Sequence, residues 1–252
     1  MKILPFIAAL FILPFSVMAE SYIPLAVPDA IASSADTMTV GKKLQAKQDA
    51  FSAKADPQKI KDFNDGVQAV AESGVLERAK KTGDIAPDFT LLDSKGDTVQ
   101  LSELLKTGPV VMIWYRGEWC PYCNIALQDI QSHYDAFEQA GAHVVAISPE
   151  TTDRALMAQG KLDLDFHVLS DEQSKAAEEY GVAYTLPKKI AGYLQDAFDI
   201  HTANNDERNL LPLAASYVIA QDGTISYAYL DADYRKRAET TTLITEVQKL
   251  KK

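Results

Sequence analysis

The sequence predicts an α/β fold: a central mixed sheet flanked by helices, with an N-terminal hairpin and a helical N-terminal extension. Three observations predict it. The apolar run Val110 to Tyr115 reads as a buried strand. A helical pattern follows, with Leu127, Ile130, Tyr134 and Phe137 recurring at three- and four-residue steps. Val144 to Ile147 is then an unbroken apolar run, as expected of a strand covered on both faces. Strand, helix and strand in this order imply a right-handed βαβ unit with a parallel pair. Ligands of such sheets bind beyond the carboxyl ends of the strands.

The first residues have the parts of a secretory signal. Lys2 is followed by an apolar stretch from Ile3 to Val17, and small residues allow cleavage after Ala19. Pro5, Pro14 and the short length argue against a membrane span, which needs roughly 20 apolar residues. The expectation is a signal peptide at 1–19, a periplasmic or secreted product, and no membrane span after cleavage. The chain has 252 residues and a formal charge of −10. Loss of Lys2 with the signal takes that to −11, which argues against nucleic acid or anionic lipid as the main partner.

Residues 20–82 read as the helical extension. After a leader without period, Met38 to Ala55 is helical, and Asp56-Pro57 is a cap followed by a proline at the first helical position. Ile60, Phe63, Val67 and Val70 mark one face of the helix that follows, Gly74 ends it, and Val75 to Lys81 form a short further helix. The extension either packs on the main domain or makes a homodimer contact.

Residues 83–252 form the main domain. Phe89, Leu91, Val99 and Leu101 alternate around the turn cluster Asp93 to Asp97 and predict a hairpin. Ser102 caps a short helix, Gly108-Pro109 launches the central strand, and one helix is predicted over 124–140. Thr152 to Lys161 reads as a helix, Phe166 to Leu169 as a strand, and Asp171 to Tyr180 as a helix. Tyr184 to Asn209 shows no clear period. Tyr217 to Leu230 is a hairpin with an Asp222-Gly223 turn, and a helix from Thr241 closes the chain.

Both cysteines, Cys120 and Cys123, lie where the central strand meets the first turn of its helix. Free N–H groups and the helix dipole stabilise a thiolate there. Residues three apart on a first turn sit about 5–6 Å apart, within reach of a disulfide. Half a zinc site is an alternative, but no second Cys-x-x-Cys exists and His133, His143, His167 and His201 are scattered. A structural disulfide is another, but so short a loop removes little chain entropy. Redox chemistry in an oxidising compartment fits best. Arg116, four residues before Cys120, either favours a thiolate or pairs at the surface with Glu118. Trp119 either shields the pair from water or only packs. Arg235 and Arg237 read as solvated charges, with an approach to the thiolate as the alternative.

Ala86-Pro87-Asp88-Phe89, the strand into Trp119-Cys120-Pro121-Tyr122-Cys123, Val144 to Pro149, Leu169-Ser170-Asp171 and Val218 to Gly223 occur in an order that resembles the alkyl hydroperoxide reductase and thiol-specific antioxidant superfamily. The likeness is to its peroxiredoxin-like branch, over roughly residues 60–240. The resemblance implies a thioredoxin-like fold and a thiol-based peroxidase. It implies catalytic Cys120 and Cys123, a hydroperoxide or protein disulfide substrate, a thioredoxin-like reductant protein, and no cofactor or metal. Laid on the peroxiredoxin pattern, the peroxidatic thiol is Cys123, with Cys120 in place of the usual threonine. Laid on thioredoxin-like oxidoreductases, Cys120 attacks first. Ala214 stands where relatives carry a cis-proline. The competing readings are a disulfide oxidoreductase without peroxidase activity, and a metal- or partner-binding module on the same fold.

Overall fold

The structure, a computed structural model, describes residues 38–251. The expected signal peptide lies outside them. Helix α1 (Val40–Ser52) starts at the Thr39 cap, and α2 (Pro57–Ala71) starts where Asp56 accepts the N–H groups of Gln58 and Lys59 at 2.8 and 3.2 Å. The one-turn α3 (Val75–Arg78) follows Gly74. Then come the hairpin β1 (Thr90–Asp93) and β2 (Thr98–Gln100), α4 (Leu101–Leu105), β3 (Val110–Trp114), α5 (Pro121–Gln131), α6 (Tyr134–Gln139), β4 (His143–Ser148), α7 (Thr152–Leu162) and β5 (His167–Ser170). The rest is α8 (Lys175–Glu179), β6 (Ala183–Thr185), α9 (Lys188–Phe198), α10 (Ile200–Asn204), β7 (Leu210–Pro212), β8 (Ser216–Ile219), β9 (Ile225–Tyr229) and α11 (Thr240–Lys249).

Seven strands form one sheet in the order β2-β1-β5-β4-β3-β8-β9. Val110 to Trp114 pair in parallel with His143 to Ile147, and β4 pairs in parallel with β5; the flanking pairs are antiparallel. This is the mixed, helix-flanked sheet of a thioredoxin-like fold. Strand side chains alternate between faces, and the two faces bury separate layers. Met112, Trp114, Val145, Ile147, Leu169 and Tyr217 pack beneath α3, α8 and α9. Val111, Ile113, Val144, Ala146, Val168 and Val218 pack beneath α1, α5, α7 and α11. Among the described residues, no helix is long and apolar enough to cross a membrane.

The helices of residues 40–78 lie against the domain. Val40 and Leu44 enter the α5 layer, and Lys43 Nζ bonds the buried Asp129 at 2.7 Å. Asp129 also accepts Thr240 Oγ1 at 2.6 Å, which ties α1, α5 and α11 together. α2 docks on α9 through Asp62, which accepts Lys189 Nζ at 2.8 Å and Tyr193 Oη at 2.7 Å. Gly66 permits the close approach, since a Cβ there would lie 2.7 Å from Ile190 Cγ1. The Lys189 and Tyr193 hydrogen bonds hold the Asp62 carboxyl down at about 2. A carboxyl lowered on folding stabilises the fold above its unfolded value and loses that contribution as pH falls through the folded one. Asp62→Asn is therefore expected to melt lower than wild type at neutral pH. The two melting curves, followed by circular dichroism, should converge as pH drops toward 2.

Several expectations are corrected. The helix predicted over 124–140 is two helices. Ser132 Oγ donates back to Asp129 O at 2.8 Å, and His133, at φ −117°, leaves the helical region. Ser102 does not cap α4; Asp88 does the work, accepting Ser102 N at 2.9 Å and Ser102 Oγ at 2.8 Å. The segment without period holds β6, α9, α10 and β7, with β6 and β7 paired as a separate ribbon. Its helix α9 buries Ile190, Ala191 and Leu194, then stops at Asp199, which has φ +48°. The helix predicted from Asp171 is a short 3₁₀ turn followed by α8, because Ser174 sits at φ +55° between them.

Candidate active site

β3 ends at Trp114, and the chain leaves the sheet through Tyr115 and Arg116. Gly117 has φ +152°, and a Cβ on it would lie 2.3 Å from the Trp119 indole nitrogen. Only glycine fits this turn without moving Trp119. Cys120 is the N-cap residue of α5, Pro121 is its first residue, and Cys123 lies within the first turn. Asn124 Nδ2 donates to Glu118 O at 2.8 Å and closes the turn from the helix side. Both thiols are free and fully buried.

Two guanidinium groups converge on the sulfurs. Arg237 Nη2 lies 3.2 Å from Cys123 Sγ, and the Arg116 backbone N–H points at the same sulfur from 3.5 Å. Arg116 Nη1 lies 3.9 Å from Cys120 Sγ. Arg237 comes from the segment after β9, where it donates to the carbonyls of Tyr234 and Lys236. The Arg116 guanidinium stacks over the Tyr234 ring at 4.0 Å and over Trp119 at 5.0 Å. Both arginines are buried, so their charges are poorly screened.

Of the two alternatives for Arg116, the structure shows the approach to the cysteines and not the surface pair: Arg116 faces the sulfurs, and Glu118 pairs with Lys161. The solvated reading of Arg237 is corrected. Arg235 instead forms an ion pair with Asp233 at 2.7 Å and donates to Asn64 at 2.8 Å. Trp119 is half-buried, stacking on Phe198 with ring centroids 5.3 Å apart.

The surroundings split the two thiols. Burial alone pushes Cys123 up, but the hydrogen bond from Cys120, the Arg237 and Arg116 guanidinium groups and the Arg116 N–H outweigh it and bring the thiol down. Burial pushes Cys120 well up, and its role as donor to Cys123 adds to that. The geometry thus favours a thiolate at Cys123 with a neutral thiol beside it.

Beside Cys120 opens an apolar groove of about 220 Å³. Phe51 of α1, Phe63 of α2, Trp119, Leu194 and Phe198 line it, with Lys47 among its other walls. Cys120 lines this groove, whereas Cys123 lies behind it. Ala214 is buried and no cis peptide bond occurs among the described residues. His201 Nε2 bonds Asn209 Oδ1 at 2.9 Å. No group of three metal-ligating side chains occurs among the described residues.

Sequence reasoning missed Tyr234 and Phe198. The loop Ser148 to Thr152 falls by strand order at the carboxyl ends of the strands beside the Cys pair, but that position assigns no role to Glu150 within it. Tyr234 and Phe198 reach the site through tertiary packing and carried no local signal.

Comparison with known proteins places the chain. It is 30% identical over 159 residues to the chloroplastic peroxiredoxin Q of Triticum aestivum, covering 63% of each chain. It thus spans less than two thirds of that relative's length. It is 31% identical over 125 residues to a putative peroxiredoxin bcp of Helicobacter pylori, covering 48% of this chain and 82% of that one. The fold matches the crystal structure of peroxidoxin BcpB from Mycobacterium tuberculosis with a TM-score of 0.54 and 23% identity, over 68% of this chain and 97% of that one. The profile of the AhpC/TSA family matches residues 82–228, which hold the Cys pair and the sheet that carries it; the chain belongs to that family.

Proposed function

We propose that the protein is a thiol peroxidase in which Cys123 attacks a hydroperoxide and Cys120 resolves the product. The observation that carries this reading is the placement of Arg237 Nη2, 3.2 Å from Cys123 Sγ, within a first helical turn. A guanidinium there favours the thiolate and then faces the charge that passes to the leaving oxygen. The Cys123 thiolate attacks the terminal peroxide oxygen. The S–O bond forms, the O–O bond breaks, and the alkoxide takes a proton and leaves as alcohol. Cys123 is then a sulfenic acid. The Cys120 sulfur displaces its hydroxide, which leaves as water with the Cys120 proton, and the Cys120–Cys123 disulfide results. A thioredoxin-like dithiol protein reduces it and becomes a disulfide in turn. Cys120 lines the groove, so exchange with that partner takes place there. The test couples peroxide consumption to NADPH oxidation through thioredoxin and its reductase. Disulfide reduction on a protein substrate with no peroxide turnover would favour the oxidoreductase reading instead.

The apolar groove offers a seat to the organic part of a hydroperoxide. Phe198→Ala is expected to lower kcat/KM for cumene hydroperoxide about tenfold, from lost apolar contact. The value for hydrogen peroxide should move far less, and steady-state kinetics on both substrates decides it.

The organisation proposed with this activity is a leader over 1–19, the helical segment 20–82 and the peroxidase domain 83–252, with export to the periplasm or medium. Support comes from the sequence of the leader. A mature product that begins at Glu20, seen by mass spectrometry after cell fractionation, is the expected result.

A further inference from the structure

Glu150 is a buried acid at the site that the proposed cycle does not use. It follows β4 and is fully buried. Its Oε2 accepts the Glu118 N–H at 2.7 Å, two residues before Cys120. Its backbone is fixed as well: Ser170 Oγ donates to its carbonyl at 2.6 Å, and its N–H points at Ser148 Oγ from 3.4 Å. Its Oε1 has no hydrogen-bond partner. The Lys161 ammonium is engaged with Glu118.

The titratable and charged groups facing Glu150 are Tyr115 after β3, Glu118 in the turn, Cys123 on α5 and Arg154 on α7. The Tyr115 hydroxyl is buried, and burial holds it protonated. Glu118 and a Cys123 thiolate both repel a charge on Glu150, and Arg154 opposes them. A carboxylate with one hydrogen bond and an orphan oxygen is costly in such a place. Burial is the largest reason that its carboxyl is pushed up to about 8.

We propose that Glu150 is a proton-linked positioning residue: its carboxyl holds the turn before Cys120 through the Glu118 N–H, and it gains or loses a proton as the charge on Cys123 comes and goes. The coupling is reciprocal. Reducing the disulfide takes two electrons from the external dithiol and one proton onto Cys120, and it leaves Cys123 as a thiolate. That new charge makes Glu150 hold a proton more tightly, so solvent supplies a further fraction of a proton. Oxidation removes the charge and returns that fraction to solvent. The inference rests on the redox pair of the proposed function, though not on the peroxide.

The pH dependence of the disulfide's midpoint potential, set with a dithiol buffer, gives the number of protons taken up per disulfide reduced. In wild type that number should rise above one around pH 8. In Glu150→Gln, which keeps an acceptor for the Glu118 N–H, it should remain at one. Equal counts in both proteins overturn the proposal. The infrared difference spectrum of wild type, oxidised minus reduced, checks the same point without a variant. A protonated-carboxyl band should change with the redox state, and a spectrum without one overturns the proposal. A normal potential curve without peroxide turnover would sink the peroxidase reading and leave this one standing.

Discussion

Cys123→Ser should abolish peroxide consumption, with a loss on the order of 10³-fold or more, as for removal of an attacking nucleophile. Cys120→Ser should behave differently. Its Cys123 keeps Arg237 Nη2 at 3.2 Å and the Arg116 N–H at 3.5 Å. One turnover should still proceed and leave a sulfenic acid on Cys123, trapped by dimedone and located by mass spectrometry. Multiple turnover with a thioredoxin-like reductant should fail, because no second sulfur closes the disulfide. The opposite pattern, with the sulfenic acid on Cys120 in Cys123→Ser, would reverse the proposed order of attack. The physical ground for the order is the split between the thiols. Arg237 touches Cys123 and not Cys120, and the Cys120 thiol serves Cys123 as a donor.

Arg237→Met should have the second-largest effect. The methionine fills much of the same volume and removes the charge nearest Cys123 Sγ. Loss of an opposite charge at this range raises a thiol by roughly one unit or more. Below the new pKa, each unit costs about tenfold in thiolate fraction. With the Cys123 thiol starting at about 5, a rise of one unit cuts the thiolate fraction at pH 6 about twofold and a rise of two units about tenfold. The peroxide reaction should therefore fall by the matching factor at pH 6 and recover toward wild type as the pH rises. Thiolate absorbance against pH should show the same displacement. A uniform loss at every pH, with an unmoved titration, would mean that Arg237 acts on the transition state alone. Burial also matters here: the 7% exposure of Arg237 keeps solvent from screening the pair.

Much of the fold is legible in the sequence. The runs at 110–115 and 144–147 are apolar without interruption because β3 and β4 are covered on both faces, Met112, Trp114, Val145 and Ile147 lying in one buried layer and Val111, Ile113, Val144 and Ala146 in the other. Asp56-Pro57 announced α2 because a cap and a fixed φ act within four residues. The segment 184–209 stayed opaque for an equally physical reason. Its helix α9 faces the core with Ile190, Ala191 and Leu194, yet it is bounded by short strands whose pairing, Ala183 with Pro212, spans 29 residues. The cap of α4 is not readable locally, because its acceptor, Asp88, lies fourteen residues upstream of Ser102.

The sequence by itself determined the chemistry available to this protein: two sulfurs three residues apart at the start of a helix, with the strand order that puts them at the carboxyl edge of a sheet. Local rules suffice for that, since caps, periodicity and dipoles act over a few residues. Only the tertiary structure sets the surroundings that distinguish the two sulfurs. Arg237 is 114 residues from Cys123 along the chain, and Glu118 reaches Glu150 across 32. Thiol ionisation answers to charge and burial in space, so no reading along the chain could rank Cys120 against Cys123.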